Sequence, residues 1–126
     1  MGYSLATISM PDFPFQRNLA ELKKVLDSDP ANIEAASRYW AALGSFAGND
    51  VRSGGYAIEA FRASALASKE GAVALARACQ ELFANTGEAP QAALFDAKLL
   101  EALQHRLKEL SGEDRRLVEW VLSFIT

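Results

Sequence analysis

Cysteine and histidine each occur once in this chain, as Cys79 and His105. One cysteine excludes an internal disulfide framework, and one cysteine with one histidine is too few for a multi-cysteine zinc site. The 126 residues suffice for one domain that buries a core of its own. We therefore expect a fold held by apolar packing, with no cofactor and no structural metal.

Residues that favour β-strands are scarce, since valine, isoleucine and threonine together number 12, against 23 alanines and 16 leucines. Alanine and leucine are strong helix formers, whereas β-branched side chains favour strands. Half of the chain is hydrophobic and 23% is charged, as in globular domains. The composition predicts an all-α, single-domain fold over residues 1–126.

The sequence also lacks long apolar runs and blocks of like charge. Lys and Arg number 13 and Asp and Glu number 16, which leaves a net charge of −3. This balance argues against nucleic acid as a partner, because phosphate-binding proteins concentrate positive charge. The first residues do not show the charged and apolar segments of a secretory signal. We expect a cytoplasmic protein that binds neither membranes nor nucleic acid.

The first fourteen residues do not follow a helical pattern. Pro11 and Pro14 each favour extended geometry in the residue before them. Leu5 and Ile8 are too apolar for a solvated tail. We predict an extended arm over residues 1–14 that packs on its own core, with packing on a neighbouring chain as the alternative.

Six later segments show apolar side chains at helical spacing or residues that cap helices. They are Phe15–Leu26, Pro30–Phe46, Ser53–Ala67, Lys69–Asn85, Ala97–Leu110 and Gly112–Ile125, with a short helical turn at Pro90–Phe95. Short connections favour antiparallel neighbours. The sequence therefore predicts a bundle of about six mostly antiparallel helices over residues 15–126.

Capping residues define several helix ends. Asp29 is predicted to cap the second helix, with Pro30 at its first position. Ser68 and Asp96 are predicted to cap the fourth and fifth helices, and Gly87 to end the fourth.

The apolar residues of the fourth and the last helix indicate how each is buried. Phe83 is assigned to the inner face of the fourth helix, together with Leu75 and Leu82. The last helix carries apolar side chains around much of its circumference, so we expect it to be the most buried.

One part of the chain invites comparison with helical repeats. Trp40-Ala-Ala-Leu43-Gly44, followed by Ala57 and Phe61, resembles the tetratricopeptide pattern of Trp-x-x-Leu-Gly and then Ala-x-x-x-Phe. The loop between the two halves is several residues longer than in that family, and no second copy occurs. We therefore predict a general helical bundle, and keep a helical-repeat-like scaffold as an alternative.

The most unusual polar sequence is the glycine-rich loop 48–56, which precedes the third helix. Free backbone amides at a helix N-terminus can bind a phosphate or a carboxylate. The Gly-Lys-Ser/Thr signature of a phosphate-binding loop is absent, and a plain connector is the alternative. The candidate partner- or ligand-binding residues of this region are Asn49, Asp50, Arg52, Tyr56, Glu59 and Arg62.

Two further positions could carry chemistry but have simpler interpretations. Glu101, His105 and Glu109 share one helical face. We interpret it as a solvated face and not as a metal site, because histidine pairs at zinc-binding spacing are absent. Cys79 lies on an apolar stripe, so we interpret it as a buried structural thiol and not as a nucleophile.

These observations favour a non-enzymatic interaction domain. We expect it to bind another protein, as inhibitors, immunity proteins and adaptors do, or a second copy of itself through the arm or the last helix. The compact, alanine-rich build suggests a bacterial or phage origin. The alternative is a binder of small anions, or an enzyme, that uses the loop 48–56.

Overall fold

A computed structural model describes the backbone over residues 13–46 and 54–125, and the side chains over 17–43 and 55–125. The described residues form an all-α bundle, and no strand occurs among them. Its helices are α1 (Phe13–Ser28), α2 (Ile33–Phe46), α3 (Gly54–Ala67), α4 (Lys69–Thr86), α5 (Ala97–Arg106) and α6 (Gly112–Ile125), with 3₁₀ turns at Ala92–Leu94 and Leu107–Glu109.

The helix α1 begins at Phe13, so the last two residues of the predicted arm 1–14 belong to this helix. Pro14 is compatible with this start, since the first turn of a helix has no need of its backbone donor. Residues 1–12 lie outside the described part, and so does the prediction of where the arm packs.

Three of the predicted caps are confirmed. The Ser68 side chain accepts a hydrogen bond from Gly71 N at 3.0 Å, and Asp96 Oδ1 accepts one from Leu99 N at 2.8 Å. Gly87 takes a left-handed conformation with φ of 75° and donates its backbone N–H to the carbonyl of Phe83. These residues satisfy backbone groups that a helix end leaves without partners.

The predicted start of the second helix at Asp29 and Pro30 is wrong. Asn32 caps α2 instead, since its Oδ1 accepts from Ala35 N at 3.0 Å. The segment from Asp29 to Asn32 forms a turn closed by a 3.0 Å backbone hydrogen bond. Proline is favoured at the second position of such turns, and the Pro30 carbonyl accepts a hydrogen bond from the Ser64 hydroxyl at 2.7 Å.

The fifth helix is shorter than predicted. Regular α-helix ends at Arg106, and the chain tightens into the 3₁₀ turn Leu107–Glu109 before Leu110 becomes extended. Such tightening of a last turn satisfies carbonyls at a helix end.

Ser68 alone connects α3 to α4, and the two helices pack closely as a hairpin. A Cβ built at Gly71 would overlap the carbonyl group of Ser64 and lie 2.8 Å from Ala65 N. Glycine is therefore what allows the first turn of α4 to approach the last turns of α3.

The contacts between helices establish their relative directions. Ser64 of α3 contacts Pro30 just before α2, and Glu59 contacts Tyr39, so α2 and α3 are antiparallel as predicted. The direction reverses again between α3 and α4, whose single-residue connection is too short for a parallel pair.

The helices α4 and α6 are a parallel pair. Arg77 of α4 binds Asp114 near the start of α6, and Phe83 contacts Trp120 further along both helices. The intervening helix α5 returns the chain between them, so α6 begins at the same end of the bundle as α4.

The expectation that the last helix is the most buried is wrong. Eight of the 18 residues of α4 are buried, compared with four of the 14 residues of α6. The burial of α4 is greater because this helix packs against both α3 and α6. The helix α6 lies at the side of the bundle and has one face in solvent.

Candidate functional site

The six residues predicted to bind a partner or ligand fall into two groups. Asn49, Asp50 and Arg52 lie outside the described residues. Tyr56 is half-buried in the first turns of α3, and Glu59 and Arg62 follow it at intervals of three residues. Residues at this spacing lie on neighbouring positions of one helix side.

Glu59 is engaged in the packing of α2 on α3. Its Oε2 accepts a hydrogen bond from the hydroxyl of Tyr39 at 3.1 Å. Burial, followed by the interaction with Glu59, raises the pKa of Tyr39 to about 12. The contact therefore gives the hydroxyl group of Tyr39 a hydrogen-bond acceptor between α2 and α3.

Arg62 is engaged at the start of α5. Its guanidinium donates to Asp96 Oδ2, with Nε at 3.0 Å and the terminal nitrogen at 2.8 Å. The other oxygen of Asp96 caps α5. Arg62 thereby links the middle of α3 to a helix that follows much later in the chain.

Cys79 and the region around His105 contain few features of a reactive site. Cys79 is buried, and this burial raises the pKa of its thiol to about 12, so the thiol stays protonated at neutral pH. His105 is exposed on α5. Nearby, Glu109 forms an ion pair with Arg106 at 2.9 Å. Within the described part of the chain, no three histidine, cysteine or acidic residues are placed to hold a metal.

An exposed cluster of three aromatic rings lies where α4 and α6 run side by side. Trp120 packs edge-on against Phe83 at 5.5 Å and against Phe124 at 5.1 Å between ring centroids. Both phenylalanines remain 40% exposed. The rings thus hold one another in place, as edge-to-face pairs do, while presenting apolar surface to solvent. We call these three residues the aromatic cluster.

A polar furrow continues from the aromatic cluster between the same two helices. It forms an open concavity of about 200 Å³ lined by Arg77, Gln80, Glu113, Arg116, Leu117 and Trp120. Arg77 binds Asp114 at 3.1 Å. Arg116 is exposed and forms no ion pair with any residue of the described part. We call the cluster and the furrow together the α4–α6 face.

The aromatic cluster and the N-terminal end of α3 lie towards the same end of the bundle. Because α3 and α4 are antiparallel, the N-terminal end of α3, which carries Tyr56, is level with the C-terminal end of α4. Phe124 lies in the last turn of α6, which is parallel to α4.

The sequence prediction missed the aromatic cluster. It placed Phe83 on the inner face of its helix, and the structure shows this residue 40% exposed. The signal available was the spacing of Trp120 and Phe124, four residues apart on a side of α6 that also carries Arg116. The helical period shows that such residues share a side, but not whether another helix covers that side.

Comparisons with known proteins reveal no similarity: no protein-family model, no curated protein and no solved structure matches this chain. Among the helices that the structure describes, none combines the length and the apolar character needed to cross a lipid bilayer.

Proposed function

We propose that this chain is a non-enzymatic protein-interaction domain that binds a protein through the α4–α6 face. The observation that carries the proposal is the aromatic cluster, in which Phe83 and Phe124 are exposed although each packs against Trp120. Isolated exposed apolar side chains are ordinary, whereas contiguous ones rimmed by polar residues mark interaction sites.

The physical chemistry of the face suits protein binding. Tryptophan and arginine dominate the binding energy of protein interfaces, and Trp120 and Arg116 lie one helical turn apart. Because the rings already pack on one another, binding would cost little side-chain entropy. We propose that Asn49, Asp50, Arg52 and Tyr56 also contribute to partner binding.

The roles of the other candidate residues support an interaction domain over an enzyme. Glu59 and Arg62 are engaged in contacts between helices, and the thiol of Cys79 is buried and protonated. We propose a cytoplasmic inhibitor, immunity protein or adaptor of bacterial or phage origin, without a nucleic-acid partner. The anionic-ligand alternative rests on the loop 48–56 and stays a prediction, as does the repeat-like scaffold.

Site-specific photocrosslinking in cells of the source organism tests the proposal. A photoreactive amino acid replaces Gln80, which lines the furrow, or Lys23, which is exposed on α1 and serves as the matched control. We expect one protein, identified by mass spectrometry, to be crosslinked from position 80 and not from position 23.

The same experiment with Phe124→Asp should abolish that crosslink while the circular dichroism shows the variant still folded, with an unfolding midpoint lowered by the lost contact with Trp120. Crosslinking that is equal from both positions, or unaffected by Phe124→Asp, would overturn the proposed binding face.

A further inference from the structure

The outer side of α6 carries a stripe whose two halves differ in chemistry. Its four residues follow one another at intervals of three or four, which places them on one side of the helix. The first half, with Glu113 and Arg116, is charged, and the second half, with Trp120 and Phe124, is aromatic. The opposite side of α6 is buried against the bundle.

When two α6 helices pair in antiparallel orientation, the charged half of one stripe lies against the aromatic half of the other. We propose, resting on the proposed function, that the protein bound at the α4–α6 face is a second copy of this chain, with the two α6 helices antiparallel. A twofold axis on the outer side of α6, level with Val118 along the helix, places Arg116 of each copy opposite Trp120 of the other, because the two residues are equally far from Val118 in the chain. Each guanidinium then contacts an indole ring, a favourable cation–π arrangement that occurs twice by symmetry.

The charges that flank the stripe fit the same arrangement. Arg115 and Glu119 form an exposed pair at 3.4 Å. With the axis level with Val118, Arg115 of one copy lies two residues, about 3 Å along the helix, from the position opposite Glu119 of the other. Both side chains are long enough to span this offset, so opposite charges meet on both sides of the axis. A parallel pair in register would place Arg116 against Arg116 and Glu113 against Glu113, which is repulsive.

The proposed dimer leaves space for the exposed side chain of Phe124 near the start of α6 of the second copy. Gly112 and Phe124 are equally far from Val118, so Phe124 of one copy lies at the same level along the paired helices as Gly112 of the other, a residue without a side chain. Gly112 is exposed, and no atom lies within 4 Å of a Cβ built on it. The helix α6 of 14 residues is about 21 Å long, and the outer edge of α4, with Phe83 and Gln80, widens the contact beyond a single helix pair.

Sedimentation equilibrium of the full chain tests for the dimer. We expect the apparent mass to rise from 13.7 kDa towards twice that value over about a hundredfold increase in concentration. Phe124→Asp and Arg116→Glu should each weaken dimerisation at least about tenfold, because each removes a side chain that is used twice in the symmetric interface.

Matched variants separate the face from general surface effects. Val25 is the other large exposed hydrophobic residue of the described part, and Val25→Asp on α1 should leave dimerisation unchanged. Arg38 pairs with Glu34 on α2 in the same spacing as Arg115 with Glu119, so Arg38→Glu is the control for Arg115→Glu.

A charge exchange adds a test of rescue. Arg115→Glu should weaken dimerisation by placing like charges together, and the double variant Arg115→Glu/Glu119→Arg should restore it. A surface on which these charges do not meet would show no such restoration.

Mixed disulfides determine the orientation. Glu113→Cys and Ser123→Cys variants, differently tagged, are mixed under mild oxidation, while Cys79 stays buried. We expect disulfides between positions 113 and 123, since these positions are equally far from Val118. Predominant 113–113 and 123–123 disulfides would overturn the antiparallel arrangement.

The two proposals fail in different ways. A chain that is monomeric at all concentrations but crosslinks a different protein from position 80 overturns the dimer and keeps the proposed function. A monomeric chain without a face-specific crosslink overturns both.

Discussion

Arg62 and Asp96, which are 34 residues apart in the chain, form an ion pair in which Asp96 also caps α5. Oδ1 of this carboxylate accepts a hydrogen bond from Leu99 N within the first turn of α5, and Oδ2 accepts from the guanidinium of Arg62 on α3. The pair therefore joins the start of α5 to the middle of α3.

The two functions of Asp96 can be separated by substitution. Asp96→Ala removes both the cap and the ion pair, whereas Asp96→Asn keeps a capping oxygen and removes the charge. We expect the free energy of unfolding, measured in urea, to decrease more for Asp96→Ala than for Asp96→Asn. Equal decreases would show that the cap contributes nothing.

Acid titration of the same variants provides a further check. The backbone hydrogen bond from Leu99, and then the interaction with Arg62, hold the pKa of Asp96 below its ordinary value of 3.8. A depressed carboxyl pKa stabilises the fold at pH above 3.8, and this contribution is lost as the pH falls through the lower folded value. We expect a smaller acid-induced loss of stability in Asp96→Asn than in wild type below about pH 4.

Gly71 should not tolerate a side chain. In an exposed helix, Gly→Ala stabilises by about 1 kcal/mol, but here the new Cβ overlaps the carbonyl of Ser64. We expect Gly71→Ala to destabilise by about 1–3 kcal/mol or more, the usual range for overpacking. Urea unfolding monitored by circular dichroism measures the change.

Gly87→Ala is the comparison for this prediction. Gly87 has φ of 75°, and no atom lies within 4 Å of its hypothetical Cβ. Its substitution should cost only the conformational penalty of about 1–2 kcal/mol. A milder effect at Gly71 than at Gly87 would contradict the close approach of α3 and α4.

The hydroxyl of Ser64 should contribute measurably to stability. This side chain is fully buried and donates to the Pro30 carbonyl at 2.7 Å. Ser64→Ala leaves that carbonyl without its partner, so we expect a loss of about 1–3 kcal/mol. Ser37→Ala, at an exposed position of α2, should change stability by less than about 0.5 kcal/mol.

Stability should decrease at alkaline pH. Burial raises the pKa of Cys79 from 9.0 to about 12 and that of Tyr39 from 10.0 to about 12. The unfolded chain therefore loses these protons first, and the stabilisation present below pH 9 is lost as the pH rises towards 12. The slope is at most about 1.4 kcal/mol per pH unit for each group.

Substitution identifies the groups responsible for this alkaline effect. Cys79→Ala should delay the onset of the decrease to about pH 10, where Tyr39 begins to titrate in the unfolded chain. Tyr39→Phe should leave the onset near pH 9 and reduce the later slope. Urea midpoints measured across this range would contradict the assignment if both variants followed the wild-type curve.

The boundaries of α4 and α6 illustrate what could be predicted from sequence. Ser68 and Gly87 define the ends of α4 within a residue, and α6 was predicted over the same residues, Gly112–Ile125. Caps of this kind act over three or four residues, so their effect is local. The start of α2 was mispredicted because a second local cap, Asn32, was overlooked: its Oδ1 accepts from Ala35 N, and Asp29 to Asn32 form a turn.

The contacts of the candidate site could not be predicted from local sequence. Glu59 and Arg62 were predicted as candidate binding residues, and their partners Tyr39 and Asp96 lie 20 and 34 residues away in the chain. The exposure of Phe83 depends in the same way on which helix lies beside α4.

The sequence by itself determined that this chain is all-α and where most of its helices begin and end, because composition, helical period and capping act within a few residues. Only the tertiary structure decided that α4 and α6 run parallel, that Arg62 supports Asp96, and that Phe83, Trp120 and Phe124 meet at the surface. The reason is physical: an apolar stripe must be buried somewhere, but the choice of neighbour depends on packing between residues that are distant in the chain.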